Sequence, residues 1–273
     1  LSSPQQDEPQ RLASGKLIVD EPAEAVVRIT LANPQKRGAL DHEMLDALEG
    51  TVRGLDARCV LITGSESVFS AGYDLGNFED EEAFATAAET LIAHPFHGAI
   101  AAIESHPYPV VCAINGHAIG GGLELALSCD IRIAATGIKL GMPPAKLGLV
   151  YSHTGLQKFL DVCGPANTSE LFFAAKNVDA ERAERMGLVN FVVDKSELAN
   201  TSIGMASTIA ARAPLSLRGN KRIIQTLRNA SGELSEKTER ELIELRQSCF
   251  HSEDFREGVQ AFAQKRTPRW KGC

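Results

Sequence analysis

A glycine triplet set between an apolar run and a helical pattern constrains this chain more than any other stretch. Val110-Val111-Cys112-Ala113-Ile114 has the character of a buried strand, and Gly120-Gly121-Gly122-Leu123-Glu124-Leu125-Ala126-Leu127 follows it closely. Three adjacent glycines remove every Cβ at one spot, so main-chain N–H groups there can approach a ligand closely. A helix starting at Gly122 or Leu123 points its unpaired N–H groups and the positive end of its dipole into the same space. The junction is suited to holding negative charge, and Glu124 brings a carboxylate to it. The competing reading is a packing cluster beside a surface glutamate that the dipole favours.

With 273 residues, 44% of them hydrophobic, the chain can bury one large core, with or without an appendage. A net charge of -7 argues against nucleic-acid and anionic-membrane partners. Cys59, Cys112, Cys129, Cys163, Cys249 and Cys273 form no C-x-x-C pair, and several lie in apolar runs, which points to reduced core thiols. No apolar stretch reaches the roughly 18 residues that a membrane span requires. Residues 1–14 are polar and proline-bearing with no signal-peptide core, and are read as a disordered arm on a soluble cytoplasmic protein. Residues 15–195 are expected to form an α/β core, and 196–273 a helical C-terminal region.

Residues 17–19 and 25–31 read as paired strands with a turn at Asp20-Glu21-Pro22. Asp41 is a candidate N-cap for a helix whose apolar side is Met44, Leu45, Leu48, Val52 and Leu55. Residues 59–63 form another strand pattern, which runs into the glycine-bearing loop Ser70-Ala71-Gly72-Tyr73-Asp74-Leu75. Residues 79–104 are helix-like, interrupted by Pro95. His94 and His97 flank that proline without a third ligand, so no metal site is assigned. Residues 131–134 read as a strand, and 140–151 as a shaped loop. Pro165 is expected to open a helix running to Ala175, Asp179 to cap another ending at Gly187, and 189–193 to be the last strand. Beyond Glu197 the pattern is helical, punctuated by Gly219 and Gly232. Strands alternating with helices place the chain in the α/β class, and its helix-only tail suggests an oligomer.

The triplet does not fit the G-x-G-x-x-G of dinucleotide sites or the P-loop, and the chain contains neither H-E-x-x-H nor G-x-S-x-G. What remains is two loops, each following an apolar strand, able to aim two amides at one oxygen, as in an oxyanion hole. These loops resemble the enoyl-CoA hydratase/isomerase (crotonase) superfamily, through Ser70-Ala71-Gly72-Tyr73-Asp74-Leu75 and Asn115-Gly116-His117-Ala118-Ile119-Gly120-Gly121-Gly122-Leu123-Glu124-Leu125. Further support lies in Asn33-Pro34-Gln35-Lys36-Arg37-Gly38-Ala39-Leu40, in residues 180–190 and in Asp254-Phe255-Arg256-Glu257-Gly258-Val259-Gln260-Ala261-Phe262.

The resemblance implies a spiral of ββα units with a helical C-terminal region that builds trimers or dimers of trimers. It implies an acyl-CoA substrate, with coenzyme A as part of the substrate and no separate cofactor. Carried over by position, the amides of Tyr73 and Gly121 would hold the thioester oxygen. Ala71, Asp74, Leu75 and Gly76 would line the coenzyme A groove, Lys36 or Arg37 would meet its phosphates, Lys265 would do so across a subunit boundary, and residues 78–97 would cover the acyl pocket.

Hydratases of this superfamily set two glutamates on one water. Glu124 matches the first, whereas Pro144 stands in place of the second and cannot carry a proton. The loop from Pro143 to Tyr151 resembles that of methylmalonyl-CoA decarboxylase, a crotonase relative with a tyrosine near this point. Decarboxylation needs no base, because losing CO2 generates the enolate. Tyr151 would then orient the departing carboxylate or protonate the enolate; its alternative role is that of a packed ring. The expected function is a lyase or isomerase of the hydratase class with Glu124 as acid/base. Decarboxylation of a malonyl-type thioester is the alternative, and a non-catalytic coenzyme A- or RNA-binding member the third reading.

Overall fold

The computed structural model describes residues 8–74, 95–230 and 235–271. Strands β1 (Gln10–Leu12), β2 (Leu17–Ala23) and β3 (Val26–Leu31) precede helix α1 (His42–Gly54), and β4 (Cys59–Gly64) and β5 (Val68–Ser70) follow it. Next come α2 (His97–Ser105), β6 (Val110–Ile114), β7 (His117–Ile119) and α3 (Gly121–Leu127). The core is completed by β8 (Ile131–Ala135), β9 (Lys139–Gly141), α4 (His153–Ser169), β10 (Val178–Asp179), α5 (Ala180–Arg185) and β11 (Phe191–Val193). Beyond these, the described elements are all helical: α6 (Leu198–Ala210), α7 (Pro214–Ala230), α8 (Glu236–Phe250) and α9 (Glu253–Ala263).

The strands form two sheets, a large one ordered β1-β2-β3-β4-β6-β8-β11 and a small one ordered β10-β9-β7-β5. From β4 to β9 the chain lays one strand in the large sheet and the next in the small one, then moves one position along both; β10 adds antiparallel to β9 in the small sheet before β11 closes the large one. This is the ββα spiral of the crotonase fold. The pairings β3/β4, β4/β6, β6/β8 and β8/β11 are parallel. Parallel strands are covered on both faces, which explains why β6 is apolar and buried throughout. One cover is α6, which packs across β4, β6 and β8.

Local signals set several boundaries. Asp41 caps α1 by accepting from the Met44 amide at 2.9 Å, and Met44, Leu45, Leu48 and Val52 form its buried side. Asp179 caps α5 in the same way through the Arg182 amide. Cys59, Cys112, Cys129 and Cys163 are free and buried, and burial pushes the Cys59 thiol up to about 12. No helix among the described residues is long and apolar enough to cross a membrane.

Several expectations need correction. Gln10–Leu12, assigned to a disordered arm, pair antiparallel with β2, because an open sheet edge rewards backbone pairing whatever the side chains. The β2–β3 turn lies at Glu24 and Ala25, where Ala25 takes φ 57°, while Asp20-Glu21-Pro22 continue β2 through a register irregularity. Pro165 opens a helix directly after the non-helical Gly164 (φ 72°, ψ 170°), as expected, and that helix passes into a π turn over Glu170–Ala174; the helical segment before it, from His153 and capped by Ser152, was not anticipated. Within 140–151, Pro144–Leu147 form a 3-10 turn. Gly219 lies inside α7 without interrupting it; Gly232 and His94 lie outside the described residues, as do residues 79–94 of the expected helix.

Candidate active site

Parallel pairing of β5 with β7 sets their C-terminal loops side by side. Gly72 takes φ +94°, and a Cβ there would lie 2.9 Å from the Ile119 carbonyl oxygen and 3.2 Å from the Gly121 nitrogen. Only glycine permits that approach. Leu40 bridges the first loop, donating to the Gly72 oxygen and accepting from the Asp74 amide, each at 2.8 Å. In such a parallel bridge the intervening residue, Tyr73, turns its own N–H away from Leu40. Gly121 opens α3 one residue earlier than expected, and a first-turn amide has no intrahelical acceptor.

Glu124 is 4% exposed, which overturns the surface-glutamate reading. Its Oε2 accepts a hydrogen bond from the Tyr151 hydroxyl, which in turn lies 3.3 Å from the Tyr73 hydroxyl. Each phenol ring rests on a glycine. A Cβ on Gly121 would meet Tyr73 Cε1 at 2.6 Å, and one on Gly155 would meet Tyr151 Cε1 at 2.6 Å. Edge-to-face contacts with Phe96 (4.8 Å) and Phe172 (5.5 Å) fix the Tyr73 and Tyr151 rings from the other side. Burial raises the Glu124 carboxyl above the usual range, opposed by the Tyr151 hydrogen bond and by Lys158, while Glu104 adds to the rise. Burial and the neighbouring Glu124 push the Tyr151 phenol well above its usual range, so it stays a donor.

The pattern of the enoyl-CoA hydratase/isomerase family matches residues 21–273. The chain belongs to this family. It is 33% identical to a probable enoyl-CoA hydratase of Bacillus subtilis (strain 168) over 258 residues, covering 90% of this chain and 95% of that one. It is 30% identical to the 2,3-dehydroadipyl-CoA hydratase of Escherichia coli (strain K12) over 251 residues, covering 90% and 95%. Among solved structures, methylmalonyl-CoA decarboxylase in complex with 2-nitronate-propionyl-CoA matches at TM-score 0.85 and 27% identity, covering 94% of this chain and 99% of that one. The protein is thus a crotonase-family acyl-CoA enzyme.

In this crotonase, the loop carrying Pro144 lies against the glycine triplet: a Cβ on Gly120 would sit 4.0 Å from Pro143 Cδ, and the Gly120 amide donates to the Gly141 oxygen at 2.9 Å. Pro144 is buried. Helix α9 seats the same loop from outside, so closely that a Cβ on Gly258 would lie 2.5 Å from the Leu147 oxygen. Lys36, Arg37, Ala71 and Asp74 come together at the other rim. Lys36 Nζ pairs with Asp74 Oδ2 at 2.6 Å, and the Ala71 amide donates to the Arg37 oxygen at 3.0 Å. Lys265 stands exposed just past α9. Leu75 and Gly76 lie outside the described residues, as do residues 78–94 of the expected pocket cover. Sequence reasoning singled out Tyr73 chiefly for its amide and missed the link between its phenol and Tyr151. It also missed the Lys158–Glu104 ion pair (2.5 Å), whose field reaches Glu124. A usable signal was present, since two of the chain's three tyrosines fall in these loops.

Proposed function

We propose that this enzyme decarboxylates a malonyl-type coenzyme A thioester through an enolate. The observation that carries the reading is the pairing of one buried carboxyl, Glu124, with the Tyr151 hydroxyl, where Pro144 replaces the second glutamate of the hydratases. In this mechanism the amides of Tyr73 and Gly121 grip the thioester oxygen as an oxyanion hole. The bond from the α-carbon to the carboxylate breaks, its electron pair passes into the enolate, CO2 leaves, and a proton is added at the α-carbon. Loss of one such amide donor costs roughly 2.7–4 kcal/mol where it has been measured. Burial disfavours the charge on Glu124 and so weakens its repulsion of the substrate carboxylate, whereas a second glutamate would add to that repulsion.

Ala71, Asp74, Leu75 and Gly76 line the coenzyme A groove in this reading, with Pro144 on the acyl side and Lys36 and Arg37 toward the phosphates. An exposed pair such as Lys36–Asp74 is worth little, so a phosphate can displace Asp74 from the lysine. Coenzyme A arrives as part of the substrate, and no other cofactor takes part. The assembly is a trimer or dimer of trimers, supported by α7, which exposes Leu215, Ile223, Ile224 and Leu227.

Hydration or isomerisation with Glu124 as the single acid/base is the second reading, favoured by the hydratase names of the curated relatives. Incubation with methylmalonyl-CoA and with crotonyl-CoA, following CO2 and the enoyl absorbance, separates the two. CO2 release lost in Tyr151→Phe is the expected result. Hydration of crotonyl-CoA without CO2 from methylmalonyl-CoA rejects the decarboxylase.

A further inference from the structure

Tyr73 takes part in the site twice, once through its main chain and once through its ring. Its main chain belongs to the loop after β5, where Leu40 brackets it by donating to the Gly72 oxygen and accepting from the Asp74 amide. Its ring lies across Gly121, where a Cβ would meet Tyr73 Cε1 at 2.6 Å, and Phe96 stands edge-on to it at 4.8 Å. Contacts on two sides fix the direction of the phenol. Its hydroxyl lies 3.3 Å from the Tyr151 hydroxyl and is hydrogen-bonded to Glu124, the same carboxyl to which Tyr151 donates. Two phenols from separate loops thus meet on one buried carboxyl.

We propose that Tyr73 is a positioning residue for Glu124, its phenol joining that of Tyr151 to hold the carboxyl in one orientation beside the oxyanion hole. The inference rests on the enolate reading, in which the Tyr73 amide grips the thioester oxygen. One residue then ties two working parts together, because a shift of the loop that moves the amide also moves a donor on the acid. Engagement of Glu124 by two phenols suits a reaction in which no water is added. The groups that act on this carboxyl are Tyr73, Tyr151 and Lys158, which favour its ionised form, and Glu104, which with burial favours the neutral one. A hydrogen bond donated to a carboxylate is stronger than one donated to the neutral acid. Deleting the Tyr73 hydroxyl therefore raises the proton affinity of Glu124, whereas a hydroxyl that merely filled space would leave the titration where it is.

The test uses the full chain labelled with 13C at its glutamate carboxyls, the Glu124 resonance being assigned by its loss in Glu124→Gln. Its titration is followed by NMR in the wild type and in Tyr73→Phe, together with kcat and KM for CO2 release from methylmalonyl-CoA across pH. Tyr73→Phe keeps the amide, the edge contact with Phe96 and the seat on Gly121 while deleting the hydroxyl. The Glu124 midpoint is expected to move to higher pH, and the limb of kcat/KM that Glu124 governs to move with it. Loss of positioning is expected to lower kcat roughly tenfold or more while KM changes less than about threefold. In a second variant, 3-fluorotyrosine in place of Tyr73 keeps the ring and makes its hydroxyl a stronger donor, so the midpoint should move to lower pH. An unmoved midpoint in both variants, or a raised KM with kcat unchanged in Tyr73→Phe, overturns the positioning role and leaves the enolate reading intact. A wild-type enzyme that releases no CO2 overturns the decarboxylase reading, and the NMR midpoints then decide by themselves whether Tyr73 holds Glu124.

Discussion

Tyr151 and Glu124 are 27 positions apart in the chain, yet the phenol donates directly to the buried carboxyl group. One residue opens onto α4 and the other lies in the first turns of α3. Their contact turns a lone glutamate into an acid that is hydrogen-bonded, desolvated and close to a second phenol.

Glu124 should make stability fall as pH rises. Its carboxyl is raised in the folded state, so its favourable contribution is complete below the unfolded carboxylate pKa of about 4.3 and is lost as pH rises through the folded value. Glu124→Gln retains an acceptor for Tyr151 but cannot ionise. Urea denaturation across pH should show the variant gaining on the wild type as pH increases from the acid side. A stability difference independent of pH would contradict the raised carboxyl.

Lys158 and Glu104 should tune the pH–rate profile in opposite directions. If the protonated form of Glu124 is the active one, activity declines as pH rises through its pKa. Lys158→Met removes a cation that favours ionisation and should move that decline to higher pH; Glu104→Gln should move it lower. The measurement is kcat/KM against pH, and an unmoved limb in both variants would disconnect the ion pair from the site.

The glycines of the two loops should respond unequally to alanine. Gly121→Ala drives a methyl into the Tyr73 ring and is expected to remove most activity while the fold persists. Gly72→Ala faces the main-chain oxygen of Ile119 from a left-handed conformation and should destabilise by about 1–2 kcal/mol or more. Gly204 in α6 is exposed with open space around it, so Gly204→Ala should stabilise by up to about 1 kcal/mol. Thermal melts and CO2 assays on the three variants check this order.

Assembly should depend on α7. Ile223 and Leu227 are exposed one helical turn apart, so Ile223→Glu with Leu227→Glu places two charges on the same side. Sedimentation velocity is expected to show trimers or hexamers for the wild type and monomers for the double variant. A monomeric wild type would remove the interface.

Much of the architecture is written locally. The uninterrupted apolar run of β6, the caps at Asp41 and Asp179, and the glycine triplet opening α3 depend on neighbours within a few residues, and each is legible before any fold is known. The sequence likewise places Glu124 at the mouth of a helix and Tyr151 at the end of a shaped loop. It could not show Gln10–Leu12 completing a sheet edge, because strand pairing there depends on a free partner rather than on the segment's own polarity. Nor could it show that Lys36 would be held by Asp74, or that the Tyr73 phenol, 78 residues from Tyr151, would meet it. Propensity and capping act along the chain within a turn or two. The direction of a side chain across a cavity follows from how separate strands stack and from which glycines leave room for a ring, and only the assembled spiral decides that.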